Sequence, residues 1–355
     1  MRKMLSVFFV CALIFGMLTG CKSSDVIGVD KTVTLRLAHN HNEEHPIHKS
    51  LLKFSKDVEK KTNGTVKVQV YPNAQLGSER EVIELTQTGA VDLAKVSASA
   101  LESFSEVYSI FSLPYLFDSK HHFYEAMDSD IAKEMYDTTK NIGFIGLTYY
   151  DAGSRNFYTK NKPIMHPNDL KGLKIRVQPS ATAIRMVELM GGAPTPMAYG
   201  EVYTALQSSV IDGTENNEMA LTSSNHGEVA KEYSYSEHAI VPDILIMNLD
   251  KKDQLSEEQQ NAVIEAAKES TEYHKIVWAE ETENAVEKAK EMGVKFHKPD
   301  KTPFRDAVSP LHDEFAKKEL IGKYYREIRA KAKKVKGLWM NERLEYFSIR
   351  EGCIC

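Results

Sequence analysis

The feature that most constrains this chain is a change of hydrophobic period that repeats along its N-terminal third. Val33-Thr-Leu-Arg-Leu-Ala-His39 alternates apolar and polar residues, the period of a strand with one buried face. Pro46 suits a first helical turn, and Leu51, Leu52, Phe54 and Val58 then recur at helical spacing until Asn63-Gly64 interrupts them. Val66 to Tyr71 reads as a strand, and Ser78 to Thr88 as a helix with Ser78 as N-cap and Glu81 three residues on. Val91 to Val96 reads as a further strand. A βαβαβ run of this kind builds a parallel or mixed sheet covered by helices on both faces, so the predicted fold class is α/β.

A second set follows. Gly143 to Tyr150 and Arg155 to Lys160 read as consecutive strands and Lys174 to Val177 as another, while Ala181 to Met190 reads as a helix stopped by Gly191-Gly192. Glu201 to Ser208 is predicted helical, Val210-Ile-Asp212 a short strand, and Ile240 to Leu249 a longer apolar strand leading back to the first set. From Ser256 to Met292 there is no Gly or Pro, and Ala, Glu and Lys abound. That pattern predicts one helix far longer than average, able to brace two domains.

The N-terminus carries an address. Arg2 and Lys3 precede an apolar run from Met4 to Leu18, too short to span a bilayer comfortably, and small residues follow: the pattern of a cleaved export signal. Leu18-Thr19-Gly20-Cys21 resembles the bacterial lipobox, which would make Cys21 a lipidated N-terminus on a polar leash; an ordinary signal peptide or a short anchor is the alternative. The cysteines, Cys11, Cys21, Cys353 and Cys355, all lie near the ends, so the chain between them has no disulfide, no thiolate metal site and no thiol nucleophile. A net charge of −5 argues against nucleic acid as a partner. Trp339 to Cys355 has no clear period, and its two thiolates could not close a metal shell alone.

Three strings could carry chemistry. His41-Asn42-Glu43-Glu44-His45 matches the inverted zinc-peptidase pattern, but that pattern needs a helix, and Pro46 disfavours helical geometry at His45. Arg155 and Arg176 sit inside strand-like segments; each is either an ordinary salt bridge or a rigidly held fork for a carboxylate. Asp212-Gly-Thr-Glu-Asn216 places an amide, both donor and acceptor, beside a turn. There is no G-x-S-x-G elbow, P-loop or dinucleotide fingerprint.

Taken in order, Leu76-Gly-Ser-Glu-Arg-Glu81, Leu113-Pro-Tyr-Leu-Phe117, Asp169-Leu-Lys-Gly-Leu-Lys-Ile-Arg176, Pro196-Met-Ala-Tyr-Gly-Glu-Val-Tyr203 and Val210-Ile-Asp-Gly-Thr-Glu-Asn216 resemble the DctP-type substrate-binding proteins of TRAP transporters. The likeness runs from about Val33 to Glu327. It implies a two-domain, periplasmic-binding-protein-like α/β fold with a central cleft and a long helix bridging both domains. The receptor would bind a small organic acid and hand it to sodium-coupled membrane subunits, without catalysis, cofactor or metal. Arg176 matches the family's main carboxylate-binding arginine, Arg155 a second cleft arginine, Asn216 the asparagine of the D-G-x-E-N motif and Tyr199 an aromatic position beside the ligand. Glu79, His39 and Asn40 fall where other members place ligand-contacting polar groups. A glutamate of the sialic-acid receptors aligns with Ser97, which argues against sialic acid.

The expected organisation is a signal peptide over 1–20, a lipidated leash over 21–32, domain I over 33–152 with 241–282, domain II over 153–240 with 283–330, and an atypical tail over 331–355. The expected protein is extracytoplasmic and touches the membrane through its N-terminal lipid alone. A sugar acid such as a hexuronate or aldonate is the preferred ligand, because so many polar cleft groups exceed what a C4-dicarboxylate, the next choice, can satisfy. Ser154-Arg-Asn-Phe-Tyr158 also resembles the uronate-binding members. A secreted zinc hydrolase using His41 and His45, or a sensing subunit of a signalling system, are the alternatives.

Overall fold

The structure, a computed structural model, describes residues 32–332. The export signal, Cys21, nearly all of the leash and the tail beyond residue 332 lie outside the described residues. The first elements follow the sequence pattern: β1 (Val33–Ala38), α1 (Pro46–Lys61), β2 (Val66–Tyr71), α2 (Glu79–Gln87) and β3 (Leu93–Ser97). His45, before proline, is extended at φ −66°, ψ 139°, and its ring accepts the Ile47 N–H, so α1 begins at Pro46. Asn63 and Gly64, both at positive φ, end it. Ser78 and Glu81 form the reciprocal capping box that opens α2.

Helices α3 (Lys120–Met127) and α4 (Asp130–Asp137) lead to β4 (Phe144–Tyr150), and β5 (Ser154–Thr159), β6 (Lys174–Val177), α5 (Ala181–Leu189), β7 (Ala193–Pro196), α6 (Val202–Gln207) and β8 (Gly213–Asn216) follow. Then come β9 (Glu232–Ile240), β10 (Asp243–Asn248), α7 (Glu257–Glu291), β11 (Lys295–His297) and α8 (Thr302–Lys317). Residues 319–332 are helical. The strands form two mixed sheets, one in the order β2-β1-β3-β10-β4 and the other β11-β9-β5-β8-β6-β7. In the first, β1 pairs parallel with β2 and β3, while β10 runs antiparallel between β3 and β4.

Two expectations need correction. Val210-Ile-Asp212 is no strand: Ser209 turns at φ 60°, and the Val210 and Ile211 amides close back on the Ala205 carbonyl. Asp212 is spent on β6, its carboxylate accepting the Lys174 N–H at 2.8 Å. The strand starts at Gly213, where a Cβ would lie 2.7 Å from the Tyr158 carbonyl, so only glycine lets β8 approach β5. The expected strand from Ile240 to Leu249 is two elements in different sheets, because Val241-Pro242 turns the chain between β9 and β10. The sequence pattern missed β9 altogether, since its buried residues include Ser234, Ser236 and His238.

The chain therefore crosses between sheets at residues 151–153 and 241–242, and a third time within α7. On β10, Leu245 and Met247 join the core under α1 and α7, while Ile244 and Ile246 join the core on the opposite face. A strand buried on both faces reads as an unbroken apolar run. Helix α7 packs Val263, Ala266 and Ala267 against the first sheet's core and Ala289 against that of the second. Polar contacts fix its middle: Ser270 bonds the Tyr150 hydroxyl, Thr271 bonds Thr148, and His274 Nε2 meets the Asp151 carbonyl at 2.8 Å. At the far edge of the second sheet, β7 runs parallel to β6, and the Ala193 and Met197 amides donate to the Leu173 and Val177 carbonyls.

Candidate functional site

Between the sheets lies a cavity with ≈ 500 Å³ of space outside protein atoms, partly open to solvent. The crossings form one wall: Ala152, Val241 and, from α7, Trp278. Gly153 stands at φ 66°, and a Cβ there would sit 3.2 Å from the Trp278 ring and 3.4 Å from Asn217. The bridging helix thus grips the first crossing at two successive turns, through His274 and Trp278.

The second sheet supplies two guanidiniums in different states. Arg155, on β5, is buried and clamps the Glu215 carboxylate with Nε and Nη2, the latter 2.8 Å from Oε1; Nη2 also bonds the Glu215 carbonyl, and Nη1 donates to Asn216 Oδ1 at 3.2 Å. Glu215 also receives His238 Nε2 at 3.3 Å. Burial would push the Glu215 carboxyl up, but Arg155 and His238 outweigh it and hold its pKa at about 2. Arg176, on β6, is 2% exposed and donates Nε and Nη2 to the Met197 carbonyl at 3.1 and 2.8 Å. It makes no ion pair with any of the described residues, and Nη1 has no protein partner among them. Burial lowers its pKa from the ordinary value. The Arg176 guanidinium lies 5.9 Å from the centre of the Tyr199 ring, whose hydroxyl meets Ser224 at 2.6 Å.

The first sheet faces these groups with a buried charge cluster. Lys95 Nζ, on β3, lies 3.0 Å from Asp243 Oδ2, 3.0 Å from Asn40 Oδ1 and 3.6 Å from Glu79 Oε1. Strand register explains the pairing: Asp243 stands opposite Ser97 and Lys95 is two residues further along, so both side chains share a face on a diagonal. Glu79, at the start of α2, also accepts the Ser97 N–H at 2.9 Å. Burial raises its pKa, with Lys95 opposing. Asp243 is pushed up by burial but held below the usual range by Lys95 and His41.

Of the residues expected from sequence, Arg155, Arg176, Asn216, Tyr199, Glu79 and Asn40 line the cavity together, as does Ser97. His39 does not: its Nε2 is 3.0 Å from His48 and its Nδ1 accepts the His41 N–H, so it buttresses the wall from behind. The histidines that line the cavity are His41 and His45, stacked with centroids 3.9 Å apart. Burial drives both toward the neutral form, His41 to a pKa of about 4. His45 is an extended N-cap residue, so the helix required by a zinc-peptidase motif is missing at that point, and among the described residues no group of three His, Cys, Asp or Glu side chains could hold a metal ion. Sequence reasoning missed Lys95, Asp243, Glu215 and Trp278. For Lys95 a signal existed: a lysine inside a strand flanked by helices on both sides has no route to solvent and needs buried partners.

A charged cleft between two sheets joined by three crossings is the architecture of a solute receptor. The chain belongs to the DctP family, bacterial extracellular solute-binding protein family 7, whose profile matches residues 37–319; these are the periplasmic receptors of TRAP transport systems. It is similar to a TRAP periplasmic solute-binding protein from Anaerococcus prevotii solved with bound α/β-D-glucuronate, at 45% identity and a TM-score of 0.84 over 85% of this chain and 99% of that one. A Xanthobacter autotrophicus relative with bound β-D-galacturonate shares 36% identity, with a TM-score of 0.81 over 83% and 99% of the two chains. The C4-dicarboxylate-binding periplasmic protein DctP of Rhodobacter capsulatus is 31% identical over 81% of this chain and 87% of its own.

Proposed function

We propose that the cleft binds a hexuronate, glucuronate or galacturonate, with Arg176 taking the carboxylate. The observation that carries this is a buried guanidinium that forms no ion pair with any of the described residues, Glu215 acting on it only from a distance, and that faces a polar cavity: a buried charge is costly until an anion meets it. Arg155 turns its fork to Glu215 and offers Asn216, already oriented, to the ligand. Neutral His45, Asn40 and the Lys95–Glu79–Asp243 cluster can donate to and accept from ring hydroxyls. A four-carbon diacid would leave most of them unmatched, which favours the sugar acid. The supporting relatives are the two with bound uronates.

The reading extends to mechanics and location. Residues 33–152 with 241–282 form one domain and 153–240 with 283–330 the other, closing about the three crossings and α7. Cys21 carries a lipid that tethers the receptor to the membrane. Calorimetric titration with glucuronate, galacturonate, an aldonate and succinate tests the ligand: a uronate should bind at least about a hundredfold more tightly than succinate, a difference near 2.7 kcal/mol. Succinate binding best would overturn it. Cys21→Ser should move the protein from the membrane fraction to the soluble one with uronate binding unchanged.

A further inference from the structure

Beside the site lies a second chamber, partly open, with ≈ 950 Å³ of space outside protein atoms that includes open solvent. Asn40, Glu79, Arg176 and Tyr199 line both spaces and so lie between them. The two chambers differ in character. The inner one is walled mainly by charged and amide groups, with Ala152, Val241 and Trp278 on the side of the crossings. The outer one is walled mostly by carbon, from Ala74, Ala100, Pro179, Ala198 and the Tyr199 ring, and it draws on both sides of the cleft. Gly200 adds to the room: a Cβ there would meet nothing within 4 Å.

A free hexuronate has no use for this space. It is a compact ring with hydroxyls on nearly every carbon, and although Asn73, Ser78, Arg80 and Ser103 also line this chamber, most of its wall is carbon and leaves such hydroxyls unmatched. A molecule that uses both chambers has a uronate ring at one end and an apolar group at the other. The geometry points to O-linked uronides as a ligand class of this receptor: the uronate ring in the inner site and an aryl or alkyl aglycone in the outer chamber. The inference rests on the uronate reading of the inner site. An aglycone seated there would cover the Tyr199 face and the carbon surface of Ala100 and Ala198, and apolar burial of this kind adds affinity in proportion to area.

Glucuronate, the phenyl α- and β-D-glucuronides and phenyl β-D-glucoside are titrated calorimetrically into the full-length protein and into Ala100→Leu and Gly200→Leu, which narrow the outer chamber without touching the inner one. One phenyl glucuronide anomer should bind within about tenfold of glucuronate, the glucoside should not bind, and each variant should weaken that glucuronide by about tenfold or more while glucuronate changes by less than about threefold. If glucuronate binds and both phenyl glucuronides are weaker by about a thousandfold or more, the inference is wrong and the chamber is only the mouth of the cleft. Equal losses for glucuronate and glucuronide in the variants overturn it as well. Failure of glucuronate itself would instead overturn the uronate reading.

Discussion

Replacing Arg176 by methionine should separate binding from stability, because the two cleft arginines are compensated differently. In Arg176→Met the stem is kept and the charge removed, so a ligand carboxylate enters a dry site without its partner. Loss of one member of a desolvated pair costs about 3–5 kcal/mol, roughly a hundred- to several-thousand-fold in affinity. The unliganded protein should barely notice. The Met197 carbonyl loses its two bonds, a cost of about 1–3 kcal/mol, while a buried cation that forms no ion pair with the described residues, itself a liability of several kcal/mol, disappears. Arg155→Met is the contrast: it strands the Glu215 carboxylate, 2% exposed, with His238 alone, and should cost about 3–5 kcal/mol, lowering Tm by roughly 10 °C. Thermal unfolding without ligand and calorimetry with glucuronate read both quantities. The reasoning is refuted if unliganded Arg176→Met melts as early as Arg155→Met, or if it binds glucuronate within about tenfold of the parent.

Stability should fall steadily as the pH drops from about 6.5 to about 4. His41, His226 and His39 have folded pKa values near 4, 3 and 2 against an ordinary 6.5, so the unfolded chain takes up their protons first and gains as acid is added. Glu215, held at about 2, adds a further loss below about pH 5, when its carboxyl becomes protonated in the unfolded chain. A melting temperature constant from pH 7 to 5 would contradict this. Gly153→Ala forces a Cβ into a left-handed residue against Trp278 and should destabilise by about 1–3 kcal/mol in denaturant unfolding; an unchanged midpoint would show the crossing to be unstrained. Small-angle scattering should give a smaller radius of gyration with saturating uronate than without, and an identical profile would argue against closure about the three crossings.

The sequence exposed most of the skeleton because periodicity reports burial. Where burial is one-sided, as on α1 and α2, the elements start and stop at the residues expected, with Pro46 and Ser78 marking the starts. It failed where polar residues are buried in pairs. Strand β9 hides Ser234, Ser236 and His238 among hydrogen bonds to Ile164, Phe157 and Glu215, and no apolar period can announce that. The site divides the same way. Arg155, Arg176 and Asn216 sit in strands whose local pattern marks an exception, whereas Asp243 and Lys95 acquire meaning only through a register between segments far apart in the chain. His39 is expected at the site only through the resemblance; its ring lies behind the cavity wall against His48, a depth that the alternation of β1 does not report.

The outer strand β7 reads Ala-Pro-Thr-Pro, and its register with β6 decides which amides point where. Ala193 and Met197 donate inward, so the residues of opposite parity, Pro194 and Pro196, are those whose amides would face away from the sheet, and neither has one. The open margin of the larger sheet is thus stripped of donors and cannot template a foreign strand, the first step of edge-to-edge aggregation. Ala193 and Pro196 are exposed and Pro194 and Thr195 half-buried, so that margin meets solvent. The two prolines make crowding harmless there, and replacing both with threonine would turn a silent border into an adhesive one.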